Sequence, residues 1–149
     1  MEKIFENFTV SILKLNRLIQ RIKQLEMREY KLKSIHVMCI YCLNEHPEGL
    51  TASELMRLIF EDKAAISRAL RQLLESGYVK YDVKKYNSLI VLTGEGLKVA
   101  DYITHKSEKA VKAGSADFNE EERAFFYKSL AQITENLKNY YEGLVKIND

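Results

Sequence analysis

In DKAAISRALRQLLESGYVKYD, Asp62–Asp82, apolar residues return at spacings of three and four until a glycine interrupts them. On a helical wheel of about 100° per residue with Ile66 at zero, Leu70, Leu73 and Gly77 fall within about 40°, with Ala69 and Leu74 flanking. That stripe predicts a helix packed on a core. The opposite face carries Ala64, Ser67, Arg68, Arg71 and Glu75, so its leading half is small side chains and cations. Such a face suits entry into a DNA major groove: small residues let the backbone approach base edges, and arginine reaches guanine O6/N7 or phosphate. Asp62 is the expected N-cap and Gly77 the expected C-terminal stop.

The flanks of this helix complete a pattern. Upstream, Thr51-x-x-Glu54 is a capping box that opens a short helix carrying Leu55, Leu58 and Ile59. The tight FED connection would make the two helices a helix-turn-helix. Downstream, strand-like Tyr78–Tyr81 and Leu89–Thr93 flank a polar tip holding Lys84 and Lys85, a wing able to lie on the flanking backbone or minor groove. Earlier still, residues 4–29 read as a long amphipathic helix and Ser34 to about Glu45 as a very apolar one, broken by HPEG at 46–49. After the hairpin, a helix is expected from about Gly94 to Lys112, then the loop AGSADFN, then a last helix opened by the box Asn119-x-x-Glu122 and running to about Lys146. The order is ααααββαα: a mainly α fold with a small β-hairpin wing.

Composition bounds the function class. The chain has 149 residues, 46% hydrophobic and 30% charged, enough for one domain with a real core. No apolar run nears the roughly 18 residues of a membrane span, and MEKIFENFTV has no secretory pattern. Two cysteines make no disulfide framework, so the expectation is a cytoplasmic protein with reduced thiols and no membrane partner. The net charge is only +2, but its distribution is uneven. Residues 14–33 hold seven Lys/Arg against two acids and residues 63–85 six against two, whereas residues 94–149 hold eight against ten. A polyanion would find its field on the first two stretches. With no glycine-rich phosphate loop and no nucleophile motif, an enzyme is not expected, nor is a cofactor.

The block LTASELMRLIFEDKAAISRALRQLLESGYVKYD, Leu50–Asp82, with SLIVLTGEG, Ser88–Gly96, resembles the MarR family of winged helix-turn-helix transcriptional regulators. It carries that family's signature L-T-x-x-E-L, D-K-x-x-x-S-R-x-L-x-x-L, G-Y/L-V and V-x-L-T-x-x-G, and the order of helices agrees along nearly the whole chain. The resemblance implies a homodimer reading a pseudo-palindromic operator in double-stranded DNA, as a ligand-responsive repressor. It implies an N-terminal dimerisation helix at 1–33, the DNA-binding module at 34–93 and C-terminal dimerisation helices at 94–149, in one intertwined domain. Carried over, Thr51 and Ser53 would touch phosphate, and Lys63, Ala64, Ser67, Arg68 and Arg71 would form the recognition face. One departure stands out: the positions of the family's Asp-x-Arg wing motif hold Lys84, Lys85 and Tyr86. This wing is therefore expected to give phosphate attraction through Lys84 and Lys85 rather than base preference. The resemblance also implies a small-molecule effector pocket, for which Tyr30, Tyr41 and Tyr102 are candidates.

Two features invite other readings. The terminal helices carry more apolar residues than a chain this small can cover alone, among them Phe5, Phe8 and Ile12 at one end and Phe118, Phe125, Phe126, Leu130, Ile133, Leu137, Tyr140, Tyr141 and Leu144 at the other; an apolar dimer interface accounts for them. His36-x-x-Cys39-x-x-Cys42-x-x-x-His46 follows one side of a helix, and Cys and His favour zinc. A metal- or redox-responsive regulator using His36, Cys39 and Cys42 is thus an alternative, although a buried free cysteine is commonly a small hydrophobe. Some zinc-sensing family members resemble this chain in having a histidine near His36, but their partner histidines correspond here to Ile103 and Ser107, with only His105 nearby. A winged scaffold used for protein interaction without DNA is the other alternative.

Overall fold

The structure, a computed structural model, describes residues 2–148, apart from the side chains of Glu2 and Phe5. The apolar role expected of Phe5 therefore lies outside the described residues. The elements are α1 (Glu2–Glu26), α2 (Ser34–Glu45), α3 (Ala52–Ile59), α4 (Lys63–Glu75), β1 (Val79–Lys80), β2 (Val91–Leu92), α5 (Gly94–Gly114) and α6 (Glu120–Asn148). They fall into two units, Met1–Ser107 and Glu108–Asp149.

The core of the first unit is built around α2, which buries His36, Val37, Cys39, Ile40, Cys42 and Leu43 and packs against α1, α3, α4 and β2. From α4 come Ile66, Ala69, Leu70 and Leu73, all buried, the stripe the wheel predicts. Truncating any of these large side chains to alanine would cost about 2–5 kcal/mol in lost burial plus cavity. Leu55 of α3, Val79 of β1 and Val99, Ala100 and Ile103 of α5 complete the same cluster.

Three local results differ from the sequence reading. Helix α1 ends at Glu26, not near residue 29. Met27 is buried, and Lys31 takes a left-handed turn (φ 54°) that brings Leu32 into the core, so tertiary packing overrides residues that could have continued the helix. The hairpin strands are two residues each, paired antiparallel as Val79 with Leu92 and Lys80 with Val91. The sheet is also more than a hairpin. Leu50 forms an isolated antiparallel bridge to Ile90, with Leu50 N donating to Ile90 O at 3.1 Å and Ile90 N to Leu50 O at 2.8 Å. This bridge ties the approach to α3 onto the base of the wing.

In the second unit α6 opens with the expected box: Asn119 Oδ1 accepts from Glu122 N, and Asn119 N donates to Glu122 Oε2, both at 2.9 Å. Phe126 stacks near Phe118 and edge-on to Tyr127, with centroids 6.3 and 5.5 Å apart. Among the described residues α6 has no buried side chain over its 29 positions.

Candidate nucleic-acid interface

The helix-turn-helix is set by its caps. Thr51 Oγ1 accepts from Glu54 N at 3.2 Å, while Glu54 Oε2 accepts from Thr51 N at 2.7 Å and from the Thr51 hydroxyl at 3.0 Å. Those bonds from Thr51 hold the Glu54 carboxyl below the usual carboxylate range. Helix α3 ends at Phe60, whose φ of 58° is left-handed. Glu61 N then reaches Met56 O at 3.1 Å, the closing bond of a terminus that usually has glycine at the left-handed position. Two residues on, Asp62 Oδ1 accepts from Ala65 N at 2.7 Å and starts α4. At its other end Tyr78 N donates to Leu73 O and Gly77 N to Leu74 O, both at 3.0 Å, around Gly77 at φ 75°. This is a Schellman stop, and it turns the chain directly into β1.

Between these caps, Lys63, Ala64, Ser67, Arg68 and Arg71 are all exposed on α4. Ala64, Ser67, Arg68 and Arg71 lie within about 100° of one another around the axis, opposite the buried stripe. The surface combines a close-approach strip with two guanidiniums, as a groove-reading helix requires.

The wing projects beyond this helix. Lys84 and Lys85 sit in its exposed tip, and Tyr86 beside them is 86% exposed. Asp82 shapes the tip: its Oδ1 accepts from Lys84 N at 3.0 Å, and its carbonyl accepts from Ser88 Oγ at 2.9 Å and Lys85 N at 3.2 Å. Asn87 has left-handed φ (53°). Its Oδ1 accepts from Ser53 Oγ at 3.2 Å and lies 3.5 Å from Ser53 N. So the two residues expected to meet phosphate are both engaged within the protein: Thr51 caps α3, and Ser53 holds the wing. The sequence reading missed Asn87; its only local signal was an asparagine in a turn, where left-handed backbone is tolerated.

The wing's base explains the LTxxG pattern. The Thr93 hydroxyl donates to Gly77 O, and its oxygen accepts from Gly96 N at 3.1 Å, capping α5. At Gly96 an added Cβ would lie 2.0 Å from Tyr78 O, so only glycine lets α5 come this close to the chain entering β1.

Comparison with known proteins agrees with this geometry. The pattern of the IclR helix-turn-helix domain matches residues 39–83, which run from α2 through α4 into the wing. No curated protein matches the sequence significantly. Among solved structures, a MarR protein from Peptoclostridium difficile aligns with a TM-score of 0.84 at 23% identity, covering 93% of this chain and 92% of that one. Staphylococcus aureus MepR, solved as a DNA complex, aligns at 0.76 and 16% identity, covering 87% and 96%. Staphylococcus aureus MarR in complex with salicylate and kanamycin aligns at 0.79 and 15%, covering 93% and 95%. The chain has the MarR winged-helix fold.

Beyond the helix-turn-helix of this MarR fold lie the other sequence candidates. Cys39 is fully buried, and burial, with Cys42 and Glu61 near, pushes its thiol up to about 12. Burial, with help from Glu45, also pushes the Cys42 thiol up. Neither is poised as a thiolate. His36 Nδ1 accepts from Lys33 N at 2.9 Å and so caps α2, while a His46 ring nitrogen lies 2.8 Å from Cys42 O. Among the described residues no group of three or more His, Cys, Asp or Glu is placed to share a metal ion. Tyr30 and Tyr102 meet edge-on, 5.1 Å between centroids, and Tyr102 donates to Glu26 O at 3.2 Å. Lys106 pairs with Glu26 at 2.7 Å and lies over the Tyr102 ring. These two tyrosines thus join the end of α1 to α5, whereas Tyr41 is exposed. Along α1, Ile4, Leu15, Leu18, Ile19, Ile22 and Leu25 are exposed, as are Phe125, Leu137, Tyr140 and Ile147 on α6. Among the described residues no helix is long and apolar enough to cross a membrane.

Proposed function

We propose that this protein is a MarR-type transcriptional regulator that binds double-stranded DNA as a homodimer and responds to a small ligand. The observation that carries the reading is the exposed face of α4: Ala64, Ser67, Arg68 and Arg71 project together from a helix capped at both ends, beside a lysine-tipped wing. In this reading Arg68 and Arg71 read base edges, Lys63 and the wing lysines hold phosphate, and Thr51 and Ser53 support the surface that meets the backbone. The exposed apolar faces of α1 and α6 support dimerisation through the terminal helices, residues 1–33 and 94–149, around the module at 34–93. Obligate interfaces are large and apolar. Two-fold symmetry sets two copies of α4 about one helical turn of duplex apart, on a pseudo-palindromic site.

For ligand response the candidate place is an open, polar groove of about 480 Å3 between α1 and the start of α2, lined in part by Arg17, Gln20, Arg21, Gln24, Lys33 and Ser34. It is of ligand size, and three cations suit an anionic effector. Repression follows if the operator overlaps a promoter.

The test is selection of duplexes from a random pool, followed by titration of the best binder over a range of salt. Binding should weaken steeply with salt, and Arg68→Ala and Arg71→Ala should each cost about 1–3 kcal/mol with relaxed preference at one base position. A chain that selects no duplex and binds none with salt dependence is not a DNA-binding regulator, and the protein-interaction reading of the winged scaffold then takes its place.

A further inference from the structure

We propose that Asn87 is a positioning residue: it docks the wing on α3 and so places Lys84 and Lys85 against DNA. This rests on the DNA-binding reading above. The ladder of the wing is too short to hold it alone. It pairs only Val79–Leu92 and Lys80–Val91, followed by the Leu50–Ile90 bridge at the base. Asp82 gathers Lys84 N, Lys85 N and Ser88 Oγ, but these bonds lie within the tip. They give it a shape without attaching it to the helices.

Asn87 supplies a second attachment, nearer the tip than the Leu50–Ile90 bridge. Its side-chain carbonyl oxygen takes the hydroxyl of Ser53 at 3.2 Å, with the Ser53 amide at 3.5 Å, across 34 positions of sequence. It does so from a left-handed backbone, φ 53°, a conformation unfavourable for an L residue and eased for asparagine when the side chain bonds locally. Asparagine tolerates this backbone, and its side-chain oxygen is committed to another element rather than to the turn itself. The two lysines lie two and three positions before Asn87 on the same turn. Fixing Asn87 to α3 therefore fixes where their backbone starts, relative to the α4 face that α3 supports.

The experiment measures affinity for a selected duplex by fluorescence anisotropy across a salt series. Asn87→Gly keeps the left-handed backbone and deletes the acceptor; Ser53→Ala breaks the link from the other side; Asn87→Asp keeps the acceptor. Each is made with and without Lys84→Ala/Lys85→Ala, and thermal unfolding checks the fold. In the wild type, removing the lysine pair from both wings of the dimer should flatten the log–log salt slope by about 3.6, near 0.9 for each of four phosphates no longer neutralised. With Asn87→Gly, affinity should fall roughly three- to ten-fold, the worth of one or two hydrogen bonds. The lysine pair should then change the slope by less than about half as much. Asn87→Asp should retain the lysine dependence, and Ser53→Ala with Asn87→Gly should be no weaker than Asn87→Gly alone. A full lysine effect in the Asn87→Gly or Ser53→Ala background overturns the inference. So do additive losses in the double variant, which would mean that Ser53 meets phosphate on its own. A wild type without salt-dependent binding overturns the DNA reading together with the inference; a wild type that binds, with lysine effects indifferent to Asn87, overturns the inference alone.

Discussion

Gly96→Ala sets two effects of opposite sign against each other, and the structure decides which is larger. Gly96 lies in the first turn of α5, where alanine would ordinarily stabilise a helix by about 1 kcal/mol. But a Cβ there would lie 2.0 Å from Tyr78 O and 2.9 Å from its carbonyl carbon, and real Cβ contacts stay beyond 3.0 Å. The chain at Tyr78 would have to retreat by about 1 Å or more, and it is backbone, with no flexible end to yield. Overpacking of this kind costs about 1–3 kcal/mol. The same carbonyl accepts from Thr93 N at 3.0 Å, and the Thr93 hydroxyl bonds to Gly77 O next to it. Straining both bonds adds roughly 0.5–1.5 kcal/mol each. After the helical gain is subtracted, the net loss is about 1–5 kcal/mol, a fall in Tm of roughly 2–20 °C. Urea and thermal unfolding followed by circular dichroism, at a fixed protomer concentration because dimerisation would shift both, measure it. Gly94→Ala is the control: nothing lies within 4 Å of its added Cβ, so it should be neutral or slightly stabilising. If Gly96→Ala unfolds at or above the wild-type midpoint, helix propensity has won and the close approach of α5 to Tyr78 is not as described.

Three further outcomes are expected. Burial, reinforced by Lys33, lowers the His36 pKa below 6.5 in the folded chain, so the unfolded chain binds the proton first. The stability from its neutral ring is whole above about pH 6.5 and is lost below it towards the depressed folded value, at up to about 1.4 kcal/mol per pH unit; His36→Gln, which can still accept from Lys33 N, should flatten urea midpoints across that window, and an unchanged pH dependence would contradict the assignment. Cys39 and Cys42 should resist iodoacetamide at neutral pH at a rate set by opening of the fold, so rapid alkylation of the native protein would sink their reading as core residues. Phe60→Gly should raise stability by roughly 0.5–1 kcal/mol by relieving a left-handed aromatic whose side chain is 72% exposed; a loss in the unfolding assay would show that the ring's own contacts outweigh its backbone strain.

Much of the helix-turn-helix, and of the capping elsewhere, was legible in the sequence because these signals are local. The stripe Ile66, Leu70 and Leu73, the caps at Thr51, Asp62 and Asn119, and the stop at Gly77 each depend on residues within one or two turns, and each stands where expected. The features that were not legible are set at a distance. The Leu50–Ile90 bridge is one residue wide and has no alternation to betray it. Helix α1 stops early because Met27 and Leu32 are both drawn into the core, which no local propensity records. Thr51 and Ser53 were expected from resemblance to touch phosphate, and the resemblance gave no sign of their hydrogen bonds to Glu54 and Asn87. For Asn87 the partner is too far along the chain for any spacing rule to find.

Thr93 is at once the last residue of the wing and the cap of α5, with its hydroxyl bonded to the turn after α4. No spacer separates sheet from helix at this joint. A tilt at the start of α5 would therefore pull on the end of the hairpin and on the turn that closes α4 together, with one side chain as the joint.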